Sequence, residues 1–267
     1  MSKKEQRYYD RMRARGGGAK REYQKWIYQS GRIHSAILSY LKKLMPKNIV
    51  ELGIGKGNFA LKVSNQEDQE ISYIGIDISI EGVRIANDKI RNQRFHFLLA
   101  NALYLPFRSK NFHLAICSEV FEHVREKRKL LLEINRVLKT DRSLILTTPN
   151  PKSLLYTVPR LIDKVLMSLG AGGFRYGSHQ LIEEQMEPKE LMRMLKNTFF
   201  SILDYRGLVF QFFFLERLEH LVKKTFKPIR LVSEYFERKN IFRFLGLYQV
   251  ILARACEPLQ APTLLIS

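Results

Sequence analysis

A chain of 267 residues allows one generous domain, or one domain with insertions. Its 45% apolar and 27% charged residues can fill a core, which excludes global disorder, and two cysteines, Cys117 and Cys256, exclude a disulfide scaffold or a cysteine-built zinc cluster. Lys and Arg number 45 against 26 Asp and Glu, and the formal charge of +19 predicts an anionic partner: nucleic acid, an acidic lipid surface or a phosphorylated substrate.

Residues 1–10 are polar and charged, with no apolar stretch suited to a signal peptide. Residues 1–47 form a basic N-terminal arm, holding 13 Lys or Arg against 3 acids. Gly16, Gly17 and Gly18 predict flexibility there. Over residues 23–44, Ile27, Ile33, Ile37, Leu38, Leu41 and Leu44 predict one or two helices with a single apolar side.

From residue 48 strands and helices alternate. Strands are predicted over 49–52, 71–77, 95–99, 112–118 and 144–148. A helix start is predicted at 58–64, and helices at 80–91 and 124–138. Such alternation implies a Rossmann-like, doubly wound α/β fold with a mostly parallel sheet and right-handed crossovers. Beyond Pro151, residues 151–187 read as a helical insertion, with an apolar face from Leu154 to Leu169. A helix is predicted at 188–197, with Pro188 in its first turn, and strands at 199–205 and 247–255. Residues 207–246 form a basic cap insertion rich in Phe. The longest apolar run, 208–215, is broken by Gln211 and falls short of the roughly 20 residues that span a bilayer. A cytoplasmic protein is expected, with peripheral membrane contact open.

The chemistry centres on Glu51-Leu-Gly53-Ile-Gly55-Lys-Gly57, between a strand and a helix. Glycines there let backbone approach a ligand closely. A dinucleotide fingerprint would need G-x-G-x-x-G. Counting from Gly53, the sixth position is Asn58, and the preceding strand ends in an acid. Both features argue against NAD.

The segment resembles motif I of class I S-adenosylmethionine-dependent methyltransferases, of the ubiquinone-type branch. Ile74-Gly-Ile-Asp77-Ile78-Ser79 resembles the family's second strand, and Asn101-Ala102-Leu-Tyr-Leu-Pro-Phe107 its adenine loop, where Asp is usual at the first position. Residues 112–124 resemble the fourth strand and its turn, and Thr147-Thr-Pro-Asn150 the end of the fifth. The resemblance covers about residues 48–150 and extends through 199–255, where an antiparallel last strand would close a seven-stranded sheet. It implies S-adenosyl-L-methionine as cofactor. Gly53, Gly55 and Gly57 would pass beside its methionine part, with Glu51 orienting the turn or reaching the amino group. Asp77 would accept the ribose hydroxyls, although alone it reads equally as a helix cap. Ile78 would pack on the adenine face, Asn101 and Ala102 would meet its edge, and Ser118 and Glu119 would flank the sulfonium.

His123 is the candidate base for a hydroxyl acceptor. Glu119, Glu122 and His123, with the later His179, also resemble a metal set found in small-RNA 2′-O-methyltransferases. The same triplet occurs in methyltransferases without metal, and no metal is assigned. The expected reaction is methyl transfer, at oxygen, to a small or lipid-like acceptor beneath the Phe-rich cap. Lys223, Lys224, Lys227 and Arg230 beside apolar positions also suit an anionic membrane surface. An RNA acceptor ranks second, because Tyr8, Tyr9, Tyr23, Trp26 and Tyr28 lie among basic residues. A non-catalytic cofactor-binding subunit ranks third. Oligomeric state is not readable from the sequence.

Overall fold

The computed structural model describes residues 16–66, 70–153, 184–208, 235 and 244–257, with side chains from residue 29 onward. Most of both insertions, and His179 with them, lies outside the described residues.

Helix α1 (Gly16–Leu44) is one continuous helix. The glycines expected to be flexible begin it. Its apolar stripe of Ile33, Ile37, Tyr40 and Leu41 is buried against the sheet. Five parallel strands follow: β1 (Asn48–Leu52), β2 (Ser72–Asp77), β3 (Phe95–Leu99), β4 (Phe112–Ser118) and β5 (Leu138–Pro149). Between them run α2 (Asn58–Ser64), α3 (Ile80–Lys89) and α4 (Lys127–Val137). Then come α5 (Pro188–Asn197), β6 (Phe200–Leu208) and β7 (Tyr248–Ala255). Strand β5 is longer than its apolar run predicts. Its polar lead-in, Lys139 to Arg142, belongs to the strand at the sheet's edge of entry.

Among the described residues the sheet has seven strands in the order β3-β2-β1-β4-β5-β7-β6. Strand β7 runs antiparallel to both neighbours, β5 and β6, so the last strand is the reversed one, as the resemblance implies. Two apolar layers cover the sheet. Helices α1, α2 and α3 pack on one face, and α4 and α5 on the other. Burial on both faces explains why β1 and β4 are almost uniformly apolar instead of alternating.

The chain returns from β1 to β2 and β3 on one side, then crosses back to β4 on the other. The exit of β1 is therefore a switch point, where open sheets of this kind leave a crevice for ligands. At the far side Asn150, fully buried, donates its amide N–H groups to Phe244 O at 2.8 Å and Gly246 O at 2.9 Å. That side chain fastens the end of β5 to the approach to β7. Buried Gln249 similarly donates to Pro149 O and Met186 O and accepts from the Tyr205 hydroxyl.

Candidate cofactor and methyl-transfer site

The carboxyl ends of β1, β2, β3 and β4 bring the candidate residues to one edge of the sheet. Gly53, Gly55 and Gly57 all have positive φ, at 73°, 52° and 68°. The turn is held by Gly53 N–H and Ile54 N–H, which donate to Ile76 O at 2.8 and 3.1 Å. Two of these glycines face neighbours. A Cβ on Gly53 would lie 2.1 Å from Val120 Cγ2, and one on Gly57 would crowd Ala86 at 3.0 Å. A Cβ on Gly55 would meet nothing within 4 Å. The turn is packed from behind and open at its middle glycine.

Asp77 ends β2 beside that opening. Its Oδ2 accepts from Gly55 N–H at 2.8 Å, and its Oδ1 accepts from Ser79 N–H at 2.8 Å. It does not cap α3. Ser79 does so, its Oγ accepting from Gly82 N–H at 3.1 Å. Each carboxylate oxygen retains a lone pair after its backbone bond. Ile78, next along, leaves 73% of its surface exposed. Asn101 lies just past the end of β3 and is exposed. Its Oδ1 accepts from Leu103 N–H at 2.9 Å, a local turn that leaves the amide N–H groups as the outward function. Ala102 is half-buried against the α4 layer.

Glu51 is 4% exposed and accepts from the hydroxyl of Tyr73 on β2. Burial pushes its carboxyl up to about 7, the Tyr73 bond opposes that rise, and the nearby Asp77 charge adds to it. The side chain thus ties the end of β1 to β2. Ser118 and Glu119 close β4. Ser118 Oγ lies 2.9 Å from Thr147 Oγ1, and that hydroxyl also donates to Glu119 Oε1 at 2.9 Å. Glu119 has φ 55° and its N–H donates to Thr147 O. The turn after β4 is therefore pinned to β5.

His123 is exposed, at the end of a 3₁₀ turn (Phe121–His123), four residues before α4 begins. The sequence places it at the start of a helix from 124; the structure corrects that, because residues 124–126 are extended or turn-like and the helix begins at Lys127. Glu122 is buried and accepts from Thr148 Oγ1 at 3.2 Å. Among the described residues no three His, Cys, Asp or Glu side chains are grouped to hold a metal ion.

Three contributors escape sequence reasoning. Val120 wedges under Gly53, Tyr73 pairs with Glu51, and Gly82 lets α3 approach the carbonyl of Gly55, which a Cβ there would meet at 2.6 Å. Gly82 carries the one legible hint, a glycine in the first turn of a predicted helix.

The methyltransferase domain family model matches residues 50–146, the span holding the glycine turn, Asp77, Asn101 and Glu119. Residues 50–146 thus carry a methyltransferase domain of the class I S-adenosylmethionine-dependent type. Over 68% of its length the chain is 27% identical to an uncharacterised protein of Methanocaldococcus jannaschii, of which 66% is aligned. It is 31% identical to the ubiquinone/menaquinone biosynthesis C-methyltransferase of Wigglesworthia glossinidia brevipalpis, over 43% of this chain and 48% of that one. The chain spans between about half and two thirds of the length of these and similar curated relatives. A possible histamine N-methyltransferase from Thermotoga maritima shares its fold, with TM-score 0.54 and 18% identity over 88% of this chain and 94% of that one.

The cofactor of the family is S-adenosylmethionine, and the residues present fit it. An open cradle at Gly55, a carboxylate with spare acceptor capacity and an exposed Ile78 stand side by side. They match a backbone-hugging chain, a sugar diol and a flat base.

Proposed function

We propose that this methyltransferase moves a methyl group from S-adenosylmethionine to an oxygen of a small or lipid-like acceptor. The observation that carries the reading is the coupling of Asp77 to Gly55 N–H beside the open face of the glycine turn. When bound, S-adenosylmethionine supplies a methyl group on a sulfonium, a leaving group that needs no acid. The chain's own work is alignment and exclusion of water. Asp77 holds the ribose diol by charge-assisted bonds. Ile78 covers one face of the adenine, and Asn101 with Ala102 borders its edge. Glu51 braces the turn from within. His123, exposed beside the turn after β4, takes the hydroxyl proton of the acceptor as the new carbon–oxygen bond forms.

An apolar acceptor is supported by the Phe-rich composition of residues 207–246 and by the relative named for ubiquinone/menaquinone biosynthesis. The basic surplus supports a cytoplasmic enzyme that touches anionic membrane surfaces. The test uses S-adenosylmethionine labelled in its methyl group, incubated with the protein and with separate lipid, RNA and protein extracts. Label is expected in the lipid or small-molecule fraction, as a base-stable ether. Label in RNA alone would replace this reading with RNA methylation. Label on carbon would remove His123 from its role. Cofactor binding without transfer to any fraction would leave a non-catalytic subunit.

A further inference from the structure

The opposite edge of the sheet, where the strands begin, holds a pocket of about 110 Å³ that the methyl-transfer site does not use. It is lined by His113, Asp141, Arg142 and Arg254, with Leu44 and Leu203 among its apolar walls. His113 lies near the start of β4. Asn48 N–H donates to its Nδ1 at 3.2 Å, so that nitrogen is the acceptor. In a neutral imidazole the proton then sits on Nε2. Lys139 Nζ lies 3.3 Å from Nε2. An ammonium has donors only, so two donors face each other with no acceptor between them. Burial first, then the charges of Lys139, Arg142 and Lys47, hold His113 below its ordinary pKa and keep the ring neutral.

Among the described residues no ion pair involves Lys47, Lys139, Arg142 or Arg254, although seven other lysines and arginines do pair within them. Asp141 is the only carboxylate in the lining. The arrangement lacks a compact, multiply accepting anion. A planar guanidinium matches a tetrahedral oxyanion by paired N–H bonds.

We propose that this pocket, together with Lys139 beside its His113, binds a phosphate group at His113 Nε2–H, Lys139 and Arg142. The site is separate from the methyl-transfer edge and does not depend on the function assigned there. Phosphate can arrive as the free ion or as the end of a phosphorylated metabolite, and the two share the same contacts.

The test follows the imidazole ¹⁵N and ring ¹H signals of His113 in the full chain. Inorganic phosphate, glycerol 3-phosphate and, as control, sodium chloride at matched ionic strength are titrated in turn. Saturable shifts with either phosphate and none with chloride are expected. Lys139→Ala and Arg142→Ala should each weaken the apparent affinity at least tenfold. These side chains are half-buried and exposed, so the fold should survive, and unchanged shifts elsewhere in the spectrum check that. Tighter binding of glycerol 3-phosphate would assign the site to phosphomonoesters, and tighter binding of the inorganic ion to free phosphate. Equal responses to chloride and phosphate, or full affinity in both variants, would overturn the proposal.

Discussion

Glu51 shows how one buried acid can join two strands at a cost that depends on pH. Its ordinary pKa is 4.5, and in the folded protein it rises to about 7. Below pH 4.5 the carboxyl is protonated both folded and unfolded, so there is no difference. Between 4.5 and 7 the unfolded chain releases the proton and the folded one keeps it, so stability falls as pH rises. Above 7 the penalty is complete, on the order of 3 kcal/mol. Glu51→Gln keeps an acceptor for Tyr73 and removes the charge. The variant should gain stability relative to the parent as pH goes from 5 to 8, read as the gap between urea midpoints. A gap that does not change with pH would contradict the assignment.

Elements meet at this site through contacts that local pattern does not reveal. The glycine turn and the turn after β4 touch at Gly53 and Val120, 67 positions apart in sequence. Gly53→Ala should destabilise strongly, because a Cβ there meets Val120 Cγ2 as well as an unfavourable positive φ. Val120→Ala should relieve the contact but not the φ. A double-mutant cycle by chemical denaturation should show a favourable coupling of about 1 kcal/mol; strict additivity would mean the contact is absent. On the far side of the sheet, Asn150→Ala would remove the two amide bonds to the carbonyls of Phe244 and Gly246. A loss of about 3 kcal/mol is expected from urea unfolding, and a loss below about 1 would show those carbonyls find other partners. The elements themselves were largely legible. Helix α2 begins, and strands β3 and β4 begin and end, where periodicity and glycines place them. Less legible were α1, whose glycine start masks its continuity, and the turn before α4, where no side-chain cap marks the helix start. The partners of Glu51 and Gly53 were not legible at all, since register between strands is set by the assembled sheet.

At the scale of the whole molecule, chemistry is divided between the two edges of one sheet. The carboxyl edge carries glycines, a carboxylate and exposed apolar surface, while the entry edge gathers an excess of positive charge around His113. Net charge was plain from composition, but its concentration at the entry edge depends on β7 running antiparallel, which brings Arg254 opposite Ser143. The glycine turn, Asp77 and Asn101 were legible because cofactor contacts in this fold come from short local motifs at strand ends. The acceptor was not, because it is selected by additions outside those motifs. The central claim is that S-adenosylmethionine is gripped at the switch point by Asp77 locked to Gly55. Isothermal titration calorimetry of the full chain with S-adenosylmethionine tests it most directly. Saturable heat is predicted for the parent, with affinity at least tenfold weaker in Asp77→Asn, a loss of about 1.4 kcal/mol or more. No heat from the folded parent, or equal affinity in the variant, would contradict it.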